Sequence, residues 1–479
     1  VYVLSKGRLI IQKIFIMKFT RIFYRAFLLS MTFALFIGMT SFTKSNASQH
    51  IKLQAPERPA GQENVLQLKC DPIPTVRVAF IGLGSRGSEA VRRFMYLEGV
   101  EVVAICDINK DFVAQTQKLL TENKRAKALE FTGEEDWKKV CELKNVDLIY
   151  NCTHWALHTP IAVYAMEHGK HVALEVPAAM SIEECWKLVD TAEKTRRHCM
   201  MLENCCYDFF EMATLNMAQQ GVLGEIVHVE GAYIHDLREL NFKSPEDGGY
   251  QGMWRLKYNE DNKANIYPTH GLGPVCQALN IHRGDKMNYL VSVSSDQFGM
   301  REYAKKKFGE NSDYAKRTYE QGDMNTTIIK TEKGKTIMIQ HDVTSPRPYN
   351  RIHMLSGTKG FVQKYPVPGI ALEPNAHEFL SEKEMEGMLK KYEHPIVKEV
   401  GEKAKKVGGH GGMDFIMDYR LIYCLRNGLP LDEDVYDAAE WSSLVELTEI
   451  SVRNGSVPVE IPDFTRGDWN KLQGLKFAK

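Results

Sequence analysis

The sequence predicts an α/β protein in two parts. An N-terminal doubly wound parallel sheet comes first, then a C-terminal α+β domain with a largely antiparallel open sheet. Three observations carry this reading. Val76 to Gly87 reads VRVAFIGLGSRG, an apolar run that breaks into Gly82-x-Gly84-x-x-Gly87. Apolar strands and helix-like stretches then alternate to about residue 205, as they do in parallel sheets covered on both faces. Beyond that point strand-like runs recur at hairpin spacing.

The chain divides into residues 1–47, 48–72, 73–205 and 206–479. Residues 1–16 read as translated sequence upstream of a start at Met17. From Met17 a basic segment leads into an apolar stretch, Ala26 to Phe42, and then Ser45, Asn46 and Ala47. That is a secretory signal with cleavage after Ala47, so an exported protein without a membrane span is expected. An uncleaved anchor is the alternative, because the apolar run approaches spanning length. Residues 48–72 are a polar, proline-containing approach.

In the first domain five of the six residues Val76–Ile81 are apolar, which suits a strand buried on both faces. A second apolar strand, Val100–Cys106, ends at Asp107. A helical stretch, the strand Val146–Cys152, a helix begun near Pro160 and the strand HVALEV up to Glu175 follow. A helix from Ser181 to His198 and the short CMMLEN complete a six-stranded sheet. In the second domain Val227–Tyr233, Tyr289–Ser295, Asn325–Lys330, Thr336–His341 and Arg351–Ser356 read as strands. Asp208–Gln219, Gly271–Asn280 and Met413–Arg426 read as helices.

The glycine turn specifies a Rossmann dinucleotide site. Gly82 permits the tight turn, Gly84 lets backbone approach a pyrophosphate, and Gly87 lets helix pack on strand. The helix N-terminus behind them offers free N–H groups to phosphate. Asp107, twenty residues past Gly87, stands where a carboxylate meets the adenosine ribose. It would repel a 2′-phosphate, so NAD is favoured over NADP; Arg86 inside the loop softens that preference. Ligands of such sheets sit at the carboxyl ends of strands, which here carry Gly82–Gly87, Asp107, Thr153–His158, Glu175 and Asn204.

Composition excludes several classes. Lys+Arg and Asp+Glu both number 61 and 44% of residues are hydrophobic, so neither a nucleic-acid partner nor a disordered chain is indicated. The ten cysteines form no CxxC pair and no zinc spacing, so no metal site is expected.

Four clusters in the sequence could do chemistry. Tyr267-Pro268-Thr269-His270 precedes a helix; a Tyr/His pair beside a nicotinamide can move a hydroxyl proton as hydride departs. It reads equally as a buried aromatic and a satisfied histidine. Glu175, at a strand end, is an acid, a base, a sugar ligand or a surface salt bridge. Tyr349 lies in the stiff turn Ser345-Pro-Arg-Pro-Tyr349, and Arg255 and Tyr233 add a polar, aromatic wall of the kind carbohydrate sites use.

The motifs FIGLGSRG, CTHWALHTPIAVYAMEHGKHVALEVPAA, LENCCYD, MWRLKYNEDNKANIYPTHGLGP, SPRPYNR and GGHGGMDF decide further. Through them the chain resembles the Gfo/Idh/MocA oxidoreductase superfamily, and within it the NAD-dependent glycoside hydrolases of family 109, α-N-acetylgalactosaminidases. The resemblance runs from about residue 75 to the C-terminus. Sugar dehydrogenases of the superfamily usually carry Glu-Lys-Pro; here the lysine position is Val176, which fits the hydrolase branch.

The resemblance implies NAD contacts from Ser85, Arg86, Asp107, Trp155, Ala156, Leu157, His158, Glu175, Val176 and Asn204. It implies carbohydrate contacts from Tyr233, Arg255, Tyr267, Pro268, Thr269, His270 and Tyr349, with His270 and Tyr267 as the acid/base pair and Glu175 and Tyr349 in support. The implied reaction is redox-neutral. The C3 hydroxyl is oxidised, the acidified C2 proton leaves, the C1 substituent is eliminated, water adds, and the hydride returns. A cofactor regenerated within each turnover also suits an exported protein. The alternatives are an NAD-dependent sugar dehydrogenase and a non-catalytic sugar- or NAD-binding protein. The superfamily often pairs through its open sheet face, so the resemblance allows a homodimer.

Overall fold

A computed structural model describes residues 50–479; the secretory-signal reading falls outside the described residues. The first sheet consists of β1 (Val76–Ile81), β2 (Val100–Cys106), β3 (Leu129–Phe131), β4 (Leu148–Asn151), β5 (His171–Leu174) and β6 (Cys199–Met201). Its strands are all parallel, in the order β3-β2-β1-β4-β5-β6. The order reverses between β2 and β4, beside β1, and the glycine turn lies at that switch point. β1 is buried except for Arg77, as its apolar run demands. β3 was not legible in the sequence, because it is a three-residue edge strand with Leu129 and Glu130 exposed.

The second sheet holds β7 (Ile226–Ile234), β8 (Met287–Ser294), β9 (Asn325–Thr331), β10 (Thr336–Asp342), β11 (Met354–Gly357), β12 (Gly360–Gln363), β13 (Gly369–Leu372) and β14 (Val459–Glu460). The order is β13-β12-β11-β7-β10-β9-β8-β14, antiparallel apart from the parallel pair β7/β10. The expected strand Arg351–Ser356 starts three residues late. Ile352 and His353 take φ of +59° and +48°, a left-handed break no strand passes through.

The inner face of this sheet carries the helix Thr269–Leu279 on β7. Two glycines allow it. A Cβ on Gly231 would lie 2.0 Å from the Gly271 carbonyl oxygen, and one on Gly271 would lie 2.3 Å from the Ala232 nitrogen. Backbone therefore rests on backbone, and His270 is carried to the sheet surface. The 19-residue helix Val435–Arg453 packs on the helix Ile182–Thr195 and on β6 and β8, joining the two halves in one core. No described helix is long and apolar enough to cross a membrane.

Candidate functional site

The glycine turn has the shape a dinucleotide needs. Gly82 sits at φ +86°, and a Cβ there would come within 2.7 Å of the Cys152 backbone. A Cβ on Gly87 would meet the Gly82 carbonyl oxygen at 1.9 Å, whereas nothing lies within 4 Å of one on Gly84. The turn is closed on its protein side and open at Gly84, with Ser85 exposed in the first turn of the helix Ser85–Phe94. Asp107 is fastened to this turn: its carboxylate accepts from the Leu83 N–H at 2.6 Å and the Asn109 N–H at 2.7 Å. These residues fit an NAD pyrophosphate and ribose.

Arg86 turns inward to two acids, reaching Glu175 at 2.8 Å and Asp414 at 3.1 Å. Glu175 is thus a buried partner of the glycine loop, not the surface salt bridge of one sequence reading. Asp414 also bonds His410 at 2.9 Å and accepts from the Asn204 amide. Burial pushes the Asp414 carboxyl up, but His410, Arg86 and Arg93 hold it far below the ordinary range. Trp155 donates its indole N–H to the Val176 carbonyl at 3.1 Å. His158 lies between the carbonyls of Pro177 and Thr153, at 2.7 and 2.9 Å, and ties two strand-end loops together. Ala156 is exposed beside them and Leu157 half-buried.

Around this rim the predicted substrate residues converge. The Tyr267 ring lies 5.7 Å from that of Trp155, 4.5 Å from that of Tyr233 and 5.0 Å from the His270 imidazole. Arg255 places its guanidinium carbon 4.9 Å from the Tyr267 ring and 5.4 Å from the Trp155 ring. Pro268 and Thr269 are buried in the turn that presents His270. Burial pushes the Tyr267 phenol well above its ordinary value, so it stays protonated at neutral pH. Tyr349 stands at the mouth, 40% exposed, its ring 6.4 Å from Tyr233; Arg351 approaches its hydroxyl at 3.5 Å.

The sequence reading missed Glu203. It is fully buried, and its carboxylate meets His270 Nδ1 at 2.6 Å while also accepting from the Cys205 N–H at 3.1 Å. Burial pushes its carboxyl up, but the His270 charge and hydrogen bonds bring it below its ordinary value. An ionised Glu203 fixes Nδ1 as the protonated nitrogen and leaves Nε2 as the basic one. The signal for it was its place beside Asn204 in LENCCYD. The reading also missed His235 and His341, which lie by Tyr233: His235 at 4.8 Å and His341 opposite it in the β7/β10 register.

Glu203, Cys205 and His270 bring ligand-type atoms within 4.8 Å of one another. The carboxylate is bound to the imidazole and the thiol sulfur accepts from Arg351 at 3.1 Å, so the trio is a hydrogen-bonded group. All ten cysteines are free thiols.

Residues 207–471 match the family described as glycosyl hydrolase 109, C-terminal domain. Residues 76–203 match the oxidoreductase family with an NAD-binding Rossmann fold. An alpha-N-acetylgalactosaminidase of Bacteroides fragilis is 60% identical over 410 residues, covering 86% of this chain and 96% of that protein. A glycosyl hydrolase family 109 protein of Bacteroides thetaiotaomicron is 50% identical over 462 residues, covering 93% and 97%. Among solved structures, levoglucosan dehydrogenase in complex with NADH and levoglucosan shares the fold, with TM-score 0.62 and 17% identity over 81% of this chain and all of that one. An oxidoreductase domain protein from Kribbella flavida does so at TM-score 0.61 and 15% identity, over 81% and 100%.

Proposed function

The chain belongs to glycosyl hydrolase family 109, and from that premise we propose that it cleaves terminal α-N-acetylgalactosamine by the redox-neutral, NAD-dependent route. One observation supports this over direct hydrolysis. Hydrolysis by paired carboxylates needs two acids free to face the glycosidic bond. The two acids whose charge acts on Tyr267, Glu175 and Glu203, are taken up by Arg86 and His270. What the site presents instead is a base, a phenol and a guanidinium on the rim of a dinucleotide turn.

Gly82–Gly87 would hold the pyrophosphate of NAD, which when bound would supply an acceptor for hydride from C3 and its return at the end of the cycle. Ser85, Arg86, Asp107, Trp155–His158, Glu175, Val176 and Asn204 would hold it. His270 Nε2 removes the C2 proton; Glu203 stabilises the imidazolium that results. Tyr267 donates a proton to the departing oxygen, while Tyr233, Arg255 and Tyr349 bind the sugar, with Glu175 in support at the rim.

His270→Ala and Glu175→Ala proteins are expected to fold, retain NAD and lose most turnover on an aryl α-N-acetylgalactosaminide. Normal turnover in both would contradict the assignment. Export through the segment ending at Ala47 and pairing of two copies through the outer face of the second sheet, where Val227, Val293 and Ile328 are exposed, complete the proposal. Cell fractionation and equilibrium sedimentation test them; a cytoplasmic monomer contradicts both.

A further inference from the structure

Arg255 is a buried charge with no acid partner among the described residues. Its residue is 6% exposed, and its Nε and Nη2 are buried without an acceptor. Nη1 makes one long bond, 3.4 Å, to the Tyr250 hydroxyl. Its other neighbours are the rings of Tyr267, Trp155 and Tyr233 and the neutral Tyr233 phenol, which acts on its charge. Among the described residues no carboxylate pairs with it, whereas Arg93, Arg283, Arg351 and Arg420, just as buried, each have one. The nearby imidazoles His235 and His341 add no compensating anion. Burial, then Arg255 and another imidazole, lower them to about 4 and about 3, so they are neutral.

A buried cation without an anion is costly unless negative charge arrives during the reaction. Fixed donors aimed at developing charge in a water-poor site are a main source of catalysis. Aromatic rings give the guanidinium partial cover without neutralising it. Arg255 also lies against Tyr267, whose ring is 5.0 Å from the His270 ring that holds the base.

Resting on the function proposed above, we propose that Arg255 is a catalytic residue, its guanidinium donating to the C3 oxygen as that oxygen becomes an enolate. The step balances. His270 Nε2 takes the C2 proton, the C2–H electron pair forms the C2=C3 bond, and the C3=O π pair moves onto oxygen, where Arg255 meets it. Collapse of the enolate re-forms C3=O, shifts the double bond to C1=C2 and expels the C1 oxygen, which leaves with a proton from Tyr267. The role is one that a metal ion fills elsewhere for enolates; here a fixed guanidinium fills it.

The test supplies the oxidised substrate directly, as the 3-keto form of an aryl α-N-acetylgalactosaminide, so that aryl release does not depend on hydride transfer to the coenzyme. Wild-type protein is expected to release aryl alcohol and to exchange the C2 hydrogen with deuterium from solvent. Arg255→Met is expected to lose about 10²-fold or more in both rates, with NAD retention unchanged. Arg255→Lys keeps the charge but not the two-pronged donor and is expected to fall between the two. Added guanidinium is expected to restore part of the rate to Arg255→Ala, a readout a packing defect does not move. An Arg255→Met protein with a raised KM but unaltered kcat and C2 exchange would overturn the inference while leaving the proposed function standing. A wild-type protein that neither exchanges nor eliminates the keto substrate would overturn both.

Discussion

At the scale of single residues, the account turns on Glu203 and His270. A carboxylate on Nδ1 sets which nitrogen is basic and stabilises the charged ring, and Glu203 does so from full burial. Glu203→Gln removes the charge and keeps the shape. It is expected to lower kcat about 10²-fold with KM changed less than about threefold, checked by steady-state kinetics on the aryl glycoside; a wild-type kcat would show that the carboxylate does not matter. His270, Tyr267 and Glu175 were nameable from the sequence because strand ends and helix starts are where such sites lie. Glu203 was not, because its partner arrives from 67 residues away. Neither local pattern nor periodicity records that meeting. Arg86 was read as an NAD contact inside the glycine loop; its two acid partners, Glu175 and Asp414, were not legible because they lie 89 and 328 residues away.

At the scale of elements, two glycines separate packing from binding. Gly271 lets a helix lie on β7, so Gly271→Ala forces a methyl group into the Ala232 backbone. A loss of about 1–3 kcal/mol is expected from such overpacking, with turnover falling further because His270 is its neighbour. Gly84 meets nothing within 4 Å, so Gly84→Ala is expected to leave thermal stability within about 0.5 kcal/mol yet to weaken NAD retention measured after gel filtration. Equal effects of the two changes on stability would contradict this division. The parallel sheet was legible because β1, β2, β4 and β5 are mostly apolar runs. The helix Val435–Arg453 was not: fourteen of its nineteen residues are buried, so it has no polar face to set a 3.6-residue stripe. β12–β14 were missed for their shortness, two to four residues each.

At the scale of the whole molecule, several buried histidines are kept neutral by the fold. Burial lowers His171 to about 3, His198 to about 4, His341 to about 3 and His353 to about 4. In the unfolded chain each takes a proton near pH 6.5. The unfolded state therefore binds more protons between those values, and stability rises with pH across the interval. It is fully present above about pH 6.5 and is lost as pH falls toward 4, by about 1.4 kcal/mol per pH unit for each such histidine. Denaturant unfolding at pH 7 and pH 5 checks this; equal midpoints would contradict it. The two halves share one core, and Tyr267, on the second half, packs against Trp155, beyond the carboxyl end of β4. That arrangement is the basis of the central claim, a glycosidic bond broken by oxidation and elimination on a retained coenzyme. The measurement that tests it most directly is hydrolysis of nitrophenyl α-N-acetylgalactosaminide in heavy water by purified protein without added NAD. The account predicts nitrophenol release, one deuterium at C2 of the sugar, and no accumulating NADH absorbance. Release of sugar carrying its original C2 hydrogen, or NADH growth in step with substrate consumption, would contradict it.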